Sequence, residues 1–333
     1  MAKYQIFFGT YSKGPGNGVF SGEFDAATGK ISLGKTVDIE NPSYLQLDNN
    51  ILYGVSEIND GALFAIDTVE MKGIKRLETH GKHPCHLWLK DNFIFASNYS
   101  EGSLSIFRMI GNGMIAESLH SIHHFGKSIN EGRQKQSHVH FAAITPDDKY
   151  LAVCDLGMDK VFLYPYAKET GISTNFKTII CPPGAGPRHL TFSKCGEYMY
   201  VLTELTNTVL VYNYKSLEFL QEISTLPADF TARSTCAAIH ISPDGTLLAA
   251  SNRGHDSLAI FKIKENGELD FSMHVMNVKE PRDFRFSPDG NWLLVGQQNG
   301  DCVTVFKIEN DTFTQTSSIS LPKPVCILFG GEI

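Results

Sequence analysis

Short apolar runs, each cut by a polar turn, recur along this chain in one order. An apolar strand is followed by a turn such as Ser-Pro-Asp-Gly, a second apolar strand, a polar break and a third strand. The clearest copies are PRHLTFSKCGEYMYVLTELTNTVLVYNY from Pro187, CAAIHISPDGTLLAASNRGHDSLAIFKI from Cys236 and PRDFRFSPDGNWLLVGQQNGDCVTVFKI from Pro281. Self-similarity at a period of roughly 40–50 residues predicts an array of small antiparallel sheets. First strands recur near Pro42, Pro84, Ser137, Pro187, Cys236 and Pro281, and a seventh start, KPVCILFG, stands at Lys323 just before the end. Its partners lie at the other terminus, where YQIFFGTYS reads as a second strand, NGVFSGEFD as a third and ISLGKTVDI as a fourth. The pattern therefore predicts an all-β, seven-bladed β-propeller with four-stranded blades, one domain over residues 1–333, its last blade closed by both chain ends. Closure leaves only short, protected strand edges. The two tryptophans, Trp88 and Trp292, are each followed by Leu, which argues against a propeller of the Trp-Asp-repeat subtype.

Composition adds limits. With 333 residues, 42% of them hydrophobic, there is ample material for a core, and a formal net charge of -7 argues against nucleic acid as a partner. No stretch approaches the ~20 apolar residues of a membrane span, and the N-terminal MAKYQIFFGTYS reads as a strand, not a signal peptide. Cys85, Cys154, Cys181, Cys195, Cys236, Cys302 and Cys326 form no Cys-x-x-Cys pair. They read as buried free thiols of a cytoplasmic protein. KGPGNG after Ser12 and CPPGAGPR before His189 read as short loops, and His120–Gln136 as the longest irregular segment.

Numbering each copy from its first strand brings the unusual polar residues to two places. His140, Arg188 and Arg282 fall together, four residues before the strand's last apolar residue, where another copy has Ala237. Counting back eight from the aromatic end of the third strand gives Tyr99, Glu204, Arg253 and Gln298, and Tyr11 in GTYS matches Tyr99 in SNYS. In a propeller the start of the first strand and the end of the second meet at one mouth of the channel. His138 projects to the same side as His140 if side chains alternate strictly. Charge is costly to bury unless paired. Three arginines, a glutamate and one or two histidines together suggest an anion-binding cup with acid–base groups. The same residues could instead bridge neighbouring blades and stiffen the channel.

Other polar groups read as structural. His120, His123 and His124 lack the spacing of a zinc site, so no metal and no cofactor is expected. Asp155, Asp159, Asp244 and Asp289 read as turn residues or partners of backbone amides. Cys154, on a second strand, and Cys236, before a first strand, have no neighbouring base in sequence. His189 and His240 align with the polar Asp283 and Arg285 of another copy and read as blade-to-blade hydrogen-bond partners.

RQKQSHVHFAAITPDDKYLAVCDLGMDKVFLY, GPRHLTF, TELTNTV, AAIHISPDG, SNRGHDSLAIF and EPRDFRFSPDG, with the opening GTYS and NPSYL, closely resemble the lactonase family of seven-bladed propellers over essentially the whole chain. That family includes bacterial propeller-type 6-phosphogluconolactonases and fungal carboxy-cis,cis-muconate lactonizing enzymes. The resemblance implies lactone chemistry and a site made of His140, Arg188, Glu204 and Arg253. Its first implied activity is metal-independent hydrolysis of a phosphorylated sugar δ-lactone, 6-phosphoglucono-1,5-lactone. Glu204 or His140 would be the base and Arg188 or Arg253 the oxyanion partner, with Arg282, His138 and Arg133 as groups to hold the phosphate. The expected partner is thus a small anionic lactone, with neither nucleic acid nor membrane. A muconate-type cyclase using the same arginines, and a non-catalytic interaction platform, are the alternatives.

Overall fold

A computed structural model describes residues 2–14, 16–116 and 118–333. Met1 of the expected N-terminal strand and Pro15 of the KGPGNG loop lie outside the described residues. Among the described residues the strands form seven antiparallel sheets, each a meander from its first strand outward. The fold is the seven-bladed β-propeller that the repeats predict. First strands are Pro42–Asp48, Pro84–Lys90, Val139–Ile144, Pro187–Phe192, Thr235–Ile241, Pro281–Phe286 and Pro324–Glu332. The chain ends share a sheet: Lys3–Thr10 pairs antiparallel with Pro324–Glu332, with Phe7 opposite Leu328, and with Gly18–Asp25 on its other side. Two sheets depart from four continuous strands. In one the fourth strand is divided into Met114–Ile115 and His120–His123, in the other into Gly171–Ile172 and Lys177–Ile180.

The Ser-Pro-Asp-Gly turn explains why the first two strands of a copy pair so regularly. In the copy from Pro281, Ser287 Oγ donates to Asp289 Oδ1 and accepts from Trp292 N at 3.0 Å, while Gly290 N donates to Ser287 O at 2.9 Å. Ser242, Asp244, Gly245 and Leu247 repeat these bonds in the preceding copy. The fourth turn residue is left-handed, with φ of 85° at Gly245 and 76° at Gly290, where glycine carries no Cβ penalty. Asp148 takes the same place at φ 57° in the TPDD turn, one of the few non-glycine residue types that tolerate it.

The chain divides into two compact units, one of Met1–Pro42, Ser193–Leu202 and Asn207–Ile333, the other of Ser43–Phe192 and Thr203–Thr206. Within each, the core lies between the faces of successive sheets. In the second unit Phe93, Phe95, Leu104 and Ile106 of one sheet pack against Leu151, Val153, Phe162 and Tyr164 of the next, all buried. In the first, Leu247, Ala249, Leu258 and Ile260 meet Phe284, Leu293, Val295 and Phe306. Each large apolar side chain fully buried in this way contributes about 1.5–3 kcal/mol. Second strands are sandwiched and buried, with apolar middles such as Leu151–Cys154; fourth strands such as Thr312–Ser320 show mostly polar, exposed residues.

Candidate functional site

In three copies the first place marked by the repeats is a β-bulge. The register between the first two strands shifts between Val139 and Phe141, between Pro281 and Asp283, and between Pro84 and His86. His140, Arg282 and Cys85 are the residues between those pairs. A bulge leaves one residue out of the ladder and re-aims its side chain. The shift also breaks the strict alternation by which His138 was expected to follow His140. The two residues nonetheless meet the same ring, Tyr99, which stacks on His138 at 4.4 Å and meets His140 edge-on at 5.5 Å. The second place is the residue just beyond the second strand: Tyr99 after Phe93–Asn98, Glu204 after Tyr198–Thr203 and Gln298 after Trp292–Gln297, whereas Arg253 is the last residue of Leu247–Arg253.

Six of the expected site residues belong to the unit containing Ser43–Phe192 and Thr203–Thr206, and they form one connected group. Glu204 is at its centre. Its Oε2 accepts from Arg188 Nε at 3.0 Å and its Oε1 from Arg133 Nη2 at 2.5 Å. Arg133 Nη2 also donates to the Tyr99 hydroxyl at 3.1 Å, and Tyr99 carries the two histidine contacts described above. The side chains of Arg188 and Glu204 are 3% and 5% exposed, whereas that of Arg133 is 33% exposed. Glu204 is placed by its backbone, whose N–H donates to Gly186 O at 2.8 Å. Burial and the Glu204 charge push the Tyr99 hydroxyl above its ordinary pKa, against the pull of Arg133, so it stays protonated. Two cations on one buried carboxylate leave net positive charge around it, which suits an anionic ligand.

Four expected residues, Tyr11, Arg253, Arg282 and Gln298, belong to the other unit. Arg282 lies over the Tyr11 ring at 4.7 Å and donates from Nη2 to its hydroxyl, a cation–π contact reinforced by a hydrogen bond. Arg253 Nη2 donates to Cys236 O at 2.8 Å, and Gln298 N donates to Glu280 O at 3.2 Å.

Beside the six-residue group lies an aromatic row that sequence reading missed. Tyr44, His86, Phe141 and His189 stand at matching places on four successive first strands. Their rings touch in turn, Tyr44 to His86 at 4.1 Å, His86 to Phe141 at 4.3 Å and Phe141 to His189 at 5.0 Å. Each is the third residue of its first strand. His189 Nε2 sits 3.0 Å from Arg188 Nη1 and its ring 5.2 Å from that of His140. A neutral His189 can accept from the guanidinium there and fix its plane.

Several structural readings hold. Asp155 Oδ1 accepts from the N–H groups of His138, Gly157 and Met158, and Asp159 from those of Gly184 and Gly186. His240 bonds Asp283 at 3.1 Å and Arg285 at 2.9 Å, the expected blade-to-blade role. Others need correction. His120–His123 is a strand paired with Ser103–Ile106, not part of a polar loop, because the fourth strand of that sheet resumes there. His124 is buried, with Nδ1 2.7 Å from Asp155 Oδ2 and Nε2 2.8 Å from the Tyr164 hydroxyl, so both ring nitrogens are engaged. Cys236 lies within its first strand, bonded to Thr225 and Asn252. The cysteines are free, but Cys195 is exposed and Cys302 half-buried. Burial pushes the Cys154 thiol well above its ordinary pKa, which keeps it inert.

The model of the family described as "Lactonase, 7-bladed beta-propeller" matches residues 5–329. The 6-phosphogluconolactonase of Bacillus subtilis (strain 168) is 35% identical over 349 aligned positions, covering 99% of either chain. Among solved structures, the periplasmic gluconolactonase PpgL of Pseudomonas aeruginosa superposes with a TM-score of 0.92 at 29% identity, covering 99% of both chains. A Lactobacillus plantarum protein superposes with a TM-score of 0.92 at 28% identity, covering 99% of this chain and 100% of that one. No helix among the described residues is long and apolar enough to cross a membrane. The chain belongs to the lactonase family of seven-bladed β-propellers and is a lactone-hydrolysing enzyme.

Proposed function

We propose that this enzyme opens 6-phosphoglucono-1,5-lactone to 6-phosphogluconate by metal-independent hydrolysis in the cytoplasm. The observation that carries the reading is the buried Glu204 carboxylate held between Arg188 and Arg133 and linked through Tyr99 to His140. It combines an acid–base group with cations suited to an anionic ester. The name of the Bacillus subtilis relative supports the phosphorylated substrate.

Glu204 is the base and His140 the second proton carrier. Water attacks the lactone carbonyl carbon and gives a proton to Glu204 as the new C–O bond forms. The carbonyl oxygen becomes an oxyanion, which the Arg188 guanidinium stabilises. The intermediate collapses by breaking the bond to the ring oxygen, which takes a proton from protonated His140 as it leaves. The new carboxylic acid ionises, and solvent exchange moves the proton from Glu204 back to His140. An imidazole suits that second transfer because its ordinary pKa lies near neutrality. Arg188 keeps its orientation through Glu204 and His189. Arg253 is assigned to the reaction, and Arg282, His138, Tyr11 and Gln298 to substrate binding, on the family resemblance and their residue types. Arg133, the most exposed cation of the group, is assigned to the phosphate.

The test is to add the protein to freshly prepared δ-6-phosphogluconolactone and follow loss of lactone above spontaneous hydrolysis. Saturable acceleration supports the reading. Its absence, or turnover of a carboxy-muconate instead, overturns it.

A further inference from the structure

Arg133 stands in an unusual position for a residue that would grip a substrate phosphate: its charge is already engaged. Nη2 serves both Glu204 Oε1 and the Tyr99 hydroxyl. Its Nε and Nη1 make no hydrogen bond among the described residues, and the side chain is 33% exposed. Its backbone, by contrast, is firmly held. Asn130 Oδ1 accepts from Gly132 N at 3.0 Å and Arg133 N at 3.1 Å. Gln134 donates to Leu156 O at 2.9 Å and Asp159 Oδ1 at 2.7 Å. Ser128 ties the start of the same turn to Asp159 Oδ2 at 2.5 Å. The main chain is therefore fixed while the partly exposed side chain keeps unused donors. Arg188 differs in each respect: its side chain is 3% exposed and bonded to both Glu204 and His189.

We infer that Arg133 is an exchangeable clamp on Glu204, which holds the carboxylate when the site is empty and is drawn off it by the phosphate of the substrate. This rests on the reading of Glu204 as base and of the substrate as a phosphorylated lactone. A carboxylate that accepts charge-assisted hydrogen bonds from two guanidiniums is a poor proton acceptor. A phosphate dianion offers the planar guanidinium more charge and two oxygens in bidentate geometry. When Arg133 turns to it, Glu204 keeps Arg188 while Oε1 loses one cationic donor and becomes a better acceptor for a water proton. No covalent bond changes in this exchange; one charge-assisted hydrogen bond is traded for another. Phosphate recognition then acts on turnover as well as on binding, because it completes the base. A neutral lactone would meet a base still clamped.

The experiment separates the phosphate from the lactone. Hydrolysis of unphosphorylated glucono-1,5-lactone is measured with increasing sodium phosphite, a dianion that can take the phosphate's place. The parent enzyme should be activated saturably, by at least ~10-fold in kcat/KM, since a carboxylate's basicity responds strongly to a lost cation. Arg133→Ala and the closer-sized Arg133→Gln should open the neutral lactone faster than the parent without phosphite, show no phosphite activation, and raise KM for the phosphorylated lactone. Failure of phosphite to activate the parent, persistence of activation in both variants, or slower neutral-lactone turnover in both variants overturns the clamp; the last result would make Arg133 a positioning residue. A second readout needs no turnover. At fixed pH, the δ-carbon NMR resonance of Glu204, assigned by its loss in Glu204→Gln, should move on phosphite addition toward its position in Arg133→Gln. If the parent opens no lactone, the functional reading fails, while this resonance still decides the clamp. An unmoved resonance in the presence of bound phosphite overturns it.

Discussion

Replacing Glu204 by Gln keeps the side chain's shape and removes its charge, so it should impair both turnover and stability, by amounts that can be worked from the geometry. Arg188, with a side chain 3% exposed, would lose the charge of its partner at 3.0 Å. Stripping one member from a buried ion pair costs about 3–5 kcal/mol. The remaining amide oxygen can still accept from Arg188 Nε, so about 3 kcal/mol is expected here. The bond to Arg133 adds little, because that side chain is 33% exposed and pairs open to water contribute about 1 kcal/mol or less. In thermal unfolding of a 333-residue chain the loss should appear as a drop in Tm of roughly 4 °C. As base, Glu204 should account for about 10²–10⁴-fold in kcat. The assay is initial-rate hydrolysis of the phosphorylated lactone together with calorimetric melting of the parent, Glu204→Gln and Arg133→Gln. Arg133→Gln should melt within about 1 kcal/mol of the parent. A Glu204→Gln protein that melts like the parent and keeps kcat within tenfold would refute both the buried-pair energetics and the role of base.

His140→Ala should lower kcat by about 10²-fold or more with little change in KM, read by steady-state kinetics. EDTA should leave the rate unchanged, because the reaction is assigned to side chains alone; loss of activity with recovery on adding Ca²⁺ or Zn²⁺ would require a different site. Stability should fall on mild acidification. Burial and the Arg285 charge push the His240 pKa down to about 4, against the opposing pull of Asp283. The unfolded chain takes up that proton near pH 6.5, so the contribution is complete above about pH 6.5 and is lost as pH falls toward about 4. Its upper limit is about 3 kcal/mol. Urea unfolding at pH 7.5 and pH 5 should show a smaller difference in His240→Gln than in the parent.

The blades were legible in the sequence because each depends on local chemistry. Ser287, Asp289 and Gly290 close their turn with their own side chain and backbone groups, and the middles of the second strands, such as Leu293–Val295, are apolar because both faces are buried. The two places where polar residues gather were legible as well, as fixed offsets from the apolar end of the first strand and the aromatic end of the third. The bulges at Cys85, His140 and Arg282 were not, since a shift of register leaves no mark on composition. Nor was the pairing of Arg133 with Glu204. The two are 71 residues apart, and Arg133 lies in a non-repeating connection with no counterpart to superpose. The row of Tyr44, His86, Phe141 and His189 was present in the repeat arithmetic, but its residue types differ enough that only the ring contacts reveal one feature. His124 misled in isolation, because its partners Asp155 and Tyr164 come from other strands.

The central claim is that positive charge around Glu204 selects a phosphorylated lactone. The names of the relatives frame the choice, one a 6-phosphogluconolactonase and another a gluconolactonase. Two charge-assisted hydrogen bonds to a phosphate, each worth about 1.5–3 kcal/mol, imply at least ~10²-fold discrimination. The decisive measurement is kcat/KM for 6-phosphogluconolactone and for gluconolactone, each corrected for spontaneous hydrolysis, at low and at high ionic strength. The account predicts at least ~10²-fold preference for the phosphorylated sugar, shrinking as salt screens the arginines. Equal values for the two lactones, unmoved by salt, would contradict it and leave the arginines as braces of the fold.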